Sequence, residues 1–153
     1  MSKYFTMTLR LFYALVLLLG CASFSSAAPA DGKEIRGVLQ AQAEAWNRGD
    51  IDAYMNGYAR NAATEFVGGD TLTRGWQTVR DRYKKKYDSR AKMGRLSFSE
   101  VKVRLLSPDA ALVIGRWRLA RSSDQPHGRF TLLFRKLPEG WRIVHDHSSA
   151  AEK

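Results

Sequence analysis

Apolar side chains recur every three or four positions from Ile35 to Trp46, with Ile35, Val38, Leu39, Gln42, Ala43 and Trp46 on one stripe. That is the period of a helix with one buried face. Gly49 supplies a C-terminal stop. Asp50 is a good N-cap for a second, short helix that carries Ile51, Tyr54, Met55 and Tyr58 on one side. Residues 63–67 read as a short strand and Gly68-Gly69-Asp70 as its turn. A third helix is predicted from about Gly75 to Tyr87, with Trp76, Val79, Tyr83 and Tyr87 as its apolar stripe. Arg80, Arg82, Lys84, Lys85 and Lys86 lie mostly away from that stripe and read as a solvated face.

From Leu96 the period drops to two. Leu96 and Phe98 alternate, the phase slips at Ser99-Glu100, and Val101, Val103 and Leu105 resume. One extra residue in an alternating strand is the mark of a β-bulge, and bulges bend sheets. Pro108-Asp109 turns the chain into a long strand, residues 110–121, whose first half is apolar on both faces and so predicts cover on both sides. A polar loop over 122–128 leads to a strand at 129–137 with Phe130, Leu132 and Phe134 on one face. Pro138-Glu139-Gly140 turns again into a last strand at 141–149. Helices first and a bent antiparallel meander after them predict an α+β domain. Its sheet buries one face on the helices and leaves a hollow fit for a small ligand. The other face, if apolar, calls for a partner subunit.

The first thirty residues follow a different logic. Lys3 and Arg10 precede an uncharged run, Leu11 to Leu19, of signal-peptide rather than membrane-spanning length, and small residues follow it. Residues 1–30 are therefore expected to be a secretion signal and 31–153 the domain. Ala28-Pro29-Ala30 suits cleavage at 30/31. Leu18-Leu19-Gly20-Cys21 resembles a lipobox, with cleavage at 20/21 and lipidation of Cys21, the single cysteine. The expected location is the periplasm, membrane-anchored through Cys21 or free, or the exterior.

The remaining composition is ordinary for a globular protein, with 44% hydrophobic and 26% charged residues. The charge is not ordinary. Loss of everything before Asp31 removes two of the 25 basic residues and none of the 15 acidic ones, leaving a net +8. Such a balance favours anionic partners, although the simplest reading is a solvated basic surface. Export makes nucleic acid the least natural of them, so none is expected as a partner. Membrane contact is expected only through the signal or a lipid anchor.

Three stretches carry a family resemblance. Trp46-Asn47-Arg48-Gly49-Asp50-Ile51-Asp52-Ala53-Tyr54 and Gly75-Trp76 resemble segments of the SnoaL-like branch of the nuclear transport factor 2-like superfamily. Gly140-Trp141-Arg142-Ile143-Val144-His145-Asp146-His147-Ser148-Ser149 resembles the last strand of that branch and of the calcium/calmodulin-dependent kinase II association domain. The resemblance implies a cone-shaped barrel, a strongly curved, mostly antiparallel sheet packed on three N-terminal helices. It also implies a homodimer through the outer sheet face. It does not imply one activity, because the superfamily hosts isomerases, dehydratases, cyclases, transport factors and assembly hubs.

Carrying over the register of the superfamily's ketosteroid isomerase puts that enzyme's general base on Phe66 and its oxyanion tyrosine on Gln42, and neither substitute serves in that role. His145, Asp146 and His147 form the densest polar cluster, the two histidines on one face and Asp146 on the other. They are the candidate catalytic acid/base residues, against the blander reading that they bond across the sheet. A metal pair would need His127 as a third ligand and is not expected, nor is any cofactor. Arg116 and Arg118 share a face opposite Trp117, and the association-domain resemblance implies an Arg118 that faces the pocket and suits a carboxylate. Tyr54, Tyr58, Trp76, Tyr83, Arg118 and His145 are the candidate ligand contacts. The expectation is an exported domain binding a small acidic or amphipathic molecule, with an enzyme or an assembly module as the alternatives.

Overall fold

In the computed structural model the described residues are 27–151, so the expected secretion signal as far as Ser26, Cys21 included, lies outside them. The chain forms α1 (Ala27–Arg48), α2 (Ile51–Met55), β1 (Glu65–Gly68), β2 (Thr71–Arg74), α3 (Trp76–Lys86), α4 (Arg90–Met93), β3 (Arg95–Ser107), β4 (Ala110–Ala120), β5 (His127–Leu137) and β6 (Gly140–Ser148). One six-stranded sheet runs β2-β1-β6-β5-β4-β3. Only the β1–β6 pair is parallel, so the hairpin-linked meander wraps its inner face around the leading helices.

The helices form where the periodicity put them. α1 buries Ile35, Leu39, Gln42, Ala45 and Trp46. It ends at Gly49, whose φ of +87° suits glycine, and the Asp50 carboxylate caps α2 by accepting from the Ala53 amide at 2.8 Å. Asn47, in the last turn of α1, pairs with β3 as a strand residue would. Its side chain accepts from the Leu96 amide at 2.7 Å and donates to the Leu96 carbonyl at 3.0 Å, pinning the start of β3 to the end of α1. The other end of α1 is tied by Asp31, whose buried carboxylate accepts from Lys136 Nζ at 2.8 Å and Trp141 Nε1 at 3.1 Å. Those two bonds hold its pKa below the usual carboxylate value. Between the layers, Tyr58, Phe134, Trp141 and Ile143 are fully buried, each contributing roughly 1.5–3 kcal/mol by loss of apolar surface to water.

Three register shifts shape the sheet, one of them near the end of β3, where Leu105 pairs with Ala111 and Ser107 with Ala110. The predicted slip in β3 is present: pairing with β4 jumps between Ser99 and Lys102, and Glu100 takes a φ of +53°. The shift after Leu105 was not predicted, nor was a bulge at Val144. Leu133 pairs with His145 and Phe134 with Ile143, leaving Val144 as the extra residue. Beyond the meander, Gly128 lies so close to the tail that a Cβ there would stand 1.9 Å from the Ser149 carbonyl oxygen. This approach lets the Trp117 indole donate to that same oxygen at 2.9 Å.

Three expectations are corrected. β2 and α4 are additional elements; each is four residues long, too short to leave a period in the sequence. β4 is not covered on both faces within one chain, because Ile114 is 43% exposed on the outside. Strict alternation turns Ala111, Val113, Gly115 and Leu119 inward and leaves Leu112, Ile114, Arg116 and Arg118 outside.

Candidate functional site

The inner face of the sheet and helices α1–α3 enclose a cavity of about 410 Å3, within the usual range for a small-molecule site. Its buried walls come from Leu39, Gln42 and Trp46 of α1, Tyr54 and Tyr58 around α2, and Leu119, Phe130, Leu132, Ile143 and Asp146 of the sheet. Gly69, Lys86, Ser149 and Ala150, all exposed, mark its mouth.

The walls are mostly aromatic. The Tyr54 ring stands 5.2 Å from Trp46 and 5.3 Å from Tyr83, and Phe66 meets Tyr83 edge-on at 5.6 Å. Such tilted and edge-to-face contacts hold the rings as a rigid lining. Asp146 is the single acid among the lining residues. Tyr58 Oη donates to its Oδ2 at 2.7 Å and Ser148 Oγ to its Oδ1 at 2.8 Å. Burial pushes this carboxyl up to about 6, against the two hydrogen bonds and the histidines behind it, which pull the other way.

The phenols respond to the same environment. Desolvation, then the neighbouring Asp146 charge, pushes Tyr54 and Tyr58 well above the usual tyrosine value. Tyr83 moves the same way, through desolvation and then Tyr54. Tyr83 keeps partial exposure because it faces the hollow, yet its surroundings are apolar enough to disfavour a phenolate. All three therefore stay neutral donors at neutral pH.

Of the residues singled out from the sequence, Tyr54, Tyr58 and Tyr83 line the cavity together, and so does Asp146. Trp76 does not. Its indole donates to the Met55 carbonyl at 2.9 Å beneath the Arg60 and Arg80 guanidiniums, fastening α3 to α2. Arg118 lies on the outer face, bonded to the Gln125 side chain. His145 is outside as well, its Nδ1 3.0 Å from Glu65 Oε2 across the β1–β6 pair. His147 is exposed on that same face. The Val144 bulge explains this placement. Plain alternation from the buried Trp141 and Ile143 would carry His145 and His147 inward, whereas the extra residue turns Asp146 in and the histidines out. His127 is exposed at the start of β5, and no group of three His, Cys, Asp or Glu among the described residues is arranged to hold a metal ion.

Phe66 and Gln42 do line the cavity, at the positions to which the isomerase register carried them. Phe66 offers only a ring, and the Gln42 amide is engaged with the Tyr54 carbonyl at 3.2 Å. Sequence reasoning missed Arg82 and Lys86, the two cations of the lining, by assigning them to a solvated helix face. Each directly precedes a stripe residue, Tyr83 and Tyr87, which was the available signal.

Comparison with known proteins agrees with this architecture. Residues 35–152 match the SnoaL-like domain family. A crystal structure of an NTF2-like protein of unknown function from Shewanella oneidensis MR-1 is 42% identical, covering 77% of this chain and 98% of that one, with a TM-score of 0.74. An NTF2-like protein of unknown function from Pseudomonas putida KT2440 shares the fold at 19% identity, covering 82% and 90% of the two chains, with a TM-score of 0.67. A cystatin-like-fold domain of unknown function from Nostoc punctiforme does so at 21% identity, with 81% and 79% covered and a TM-score of 0.68. No curated protein matches. The chain belongs to the SnoaL-like family of the nuclear transport factor 2-like superfamily.

Proposed function

We propose that this domain is exported and binds one small, flat, largely apolar molecule in its aromatic cavity, with a hydroxyl or amine of the ligand directed at Asp146. The observation that carries this reading is an open hollow of about 410 Å3 with rigid aromatic walls and a single buried carboxylate. Ring faces select planar apolar bodies, and a mostly ionised buried carboxylate calls for a donor. An assembly module would gain stability from a filled cone, so the unfilled one favours a ligand.

The test is titration with the neutral fluorophore N-phenyl-1-naphthylamine. Emission is expected to rise, shift to the blue and saturate at one molecule per chain. Leu119→Trp, which fills the buried wall, should abolish this while the far-UV circular dichroism is retained. A wild-type protein that gives no saturable signal overturns the reading. The export component rests on the leader pattern, and cleavage at 30/31 would keep Asp31 with its bonds to Lys136 and Trp141. Intact mass of protein recovered from the envelope should show Asp31 as the first residue, and a lipidated Cys21 would refute that site.

A second reading is favoured by one observation, the Asp146 carboxyl at about 6 beside the Tyr58 phenol. In it the pocket turns its ligand over, with Asp146, not a histidine, as acid/base.

A further inference from the structure

The mouth of the cavity carries two cations that form no salt bridge among the described residues. Arg82 and Lys86 stand one helical turn apart on α3, on the side that faces the hollow, and both line it. Their neighbours on the same helix behave differently. Arg80 and Lys84 share the Asp52 carboxylate, which they pull down to about 2. Among the described residues no carboxylate bridges to Arg82 or Lys86. Arg82 is nonetheless held in place. Its Nη1 donates to Thr73 Oγ1 at 2.8 Å and its guanidinium lies 4.8 Å from the centre of the Phe66 ring, itself a cavity wall. One edge of the guanidinium is thus fixed by β2 and β1, and its other donors remain for a guest.

We infer that Arg82 and Lys86 form an anion subsite at the cavity mouth, so that the ligand is an amphipathic organic acid with its apolar body on the aromatic walls and its anionic group at this pair. The subsite rests on the ligand-binding reading above and specifies the ligand class for the same cavity. The local field agrees: partial burial, then repulsion from Arg82 and Arg121, lowers the Lys86 ammonium below its usual value. Two like charges held beside apolar surface without a counter-ion are costly, and a ligand anion relieves that cost while gaining charge-assisted hydrogen bonds. The negative end of the α3 dipole offsets part of the Lys86 charge, but it falls off within the last turn and does less for Arg82. The carboxylate-binding role that the resemblance implied for Arg118 falls here to residues on the opposite side of the sheet.

The experiment compares two probes that differ by one anionic group, N-phenyl-1-naphthylamine and 1-anilinonaphthalene-8-sulfonate, in the wild type, in Arg82→Gln/Lys86→Gln and in Lys33→Gln/Lys85→Gln. The last removes equal charge from residues outside the lining. The wild type is expected to bind the sulfonate about tenfold more tightly than the amine. The subsite variant should lose that preference with amine binding unchanged, and the control should keep it. If the amine binds and the sulfonate preference is missing, or survives in the subsite variant, the anion subsite is wrong although the pocket stands. If neither probe binds, the ligand-binding reading fails with it. Raising the salt from about 0.05 to 0.5 M should weaken the sulfonate selectively.

Discussion

Asp146 is where the chemistry of this fold is concentrated, and its environment makes a sign-definite prediction. Its folded pKa of about 6 lies above the ordinary value of 3.8. Between those values the unfolded chain sheds its proton while the folded one retains it, so the contribution of this group is full below about pH 4 and is lost as pH rises through 6. The loss amounts to roughly 3 kcal/mol. Asp146→Asn removes the titration. The stability of that variant relative to wild type should therefore climb between pH 4 and pH 7 and be level on either side, as read by urea unfolding. A difference that does not vary with pH would place the carboxyl near its ordinary value. The groups that face it are Tyr58 and Ser148, with His145, His147, Tyr54 and Tyr83 nearby, and none of them needs to titrate for this result.

At the scale of elements, the joint between α1 and β3 depends on one amide side chain. Asn47 supplies both partners of the Leu96 backbone, so Asn47→Ala strands a donor and an acceptor in a part-buried setting. A loss of about 1–3 kcal/mol is expected from chemical denaturation. Amide exchange should quicken at Leu96 before it does in β5. Asp50→Ala serves as the comparison, since it removes only an exposed cap and should cost about 1 kcal/mol.

For the molecule as a whole, the sheet leaves Leu112, Ile114 and Leu133 on an outer face rimmed by Arg116, Arg118 and Glu100. Leu112 pairs with Leu133 and Ile114 with Thr131, so the apolar positions lie side by side. That surface suits the homodimer that the family resemblance implies. Light scattering is expected to give a dimer for the wild type and a monomer for Ile114→Arg. A wild type that is monomeric at high concentration would overturn the pairing.

The architecture was legible because periodicity is local: the stripe from Ile35 to Trp46, the alternation of β4 and the slip at Ser99-Glu100 each follow from neighbours in the chain. The three tyrosines could be read as candidates for the same reason. Which polar residues reach the hollow was a different question. Parity told that Asp146 opposes His145 and His147, but the inward choice depends on Val144, the residue left over where β6 is held by β5 and by the Gly57–Ala59 segment. Arg82 reads as solvated from its helix alone, and it is β1 and β2 beside α3 that hold it at the hollow. Sequence by itself determined what repeats within a few residues; tertiary structure decided which face points inward, because a single bulge inverts a strand's parity without altering its composition.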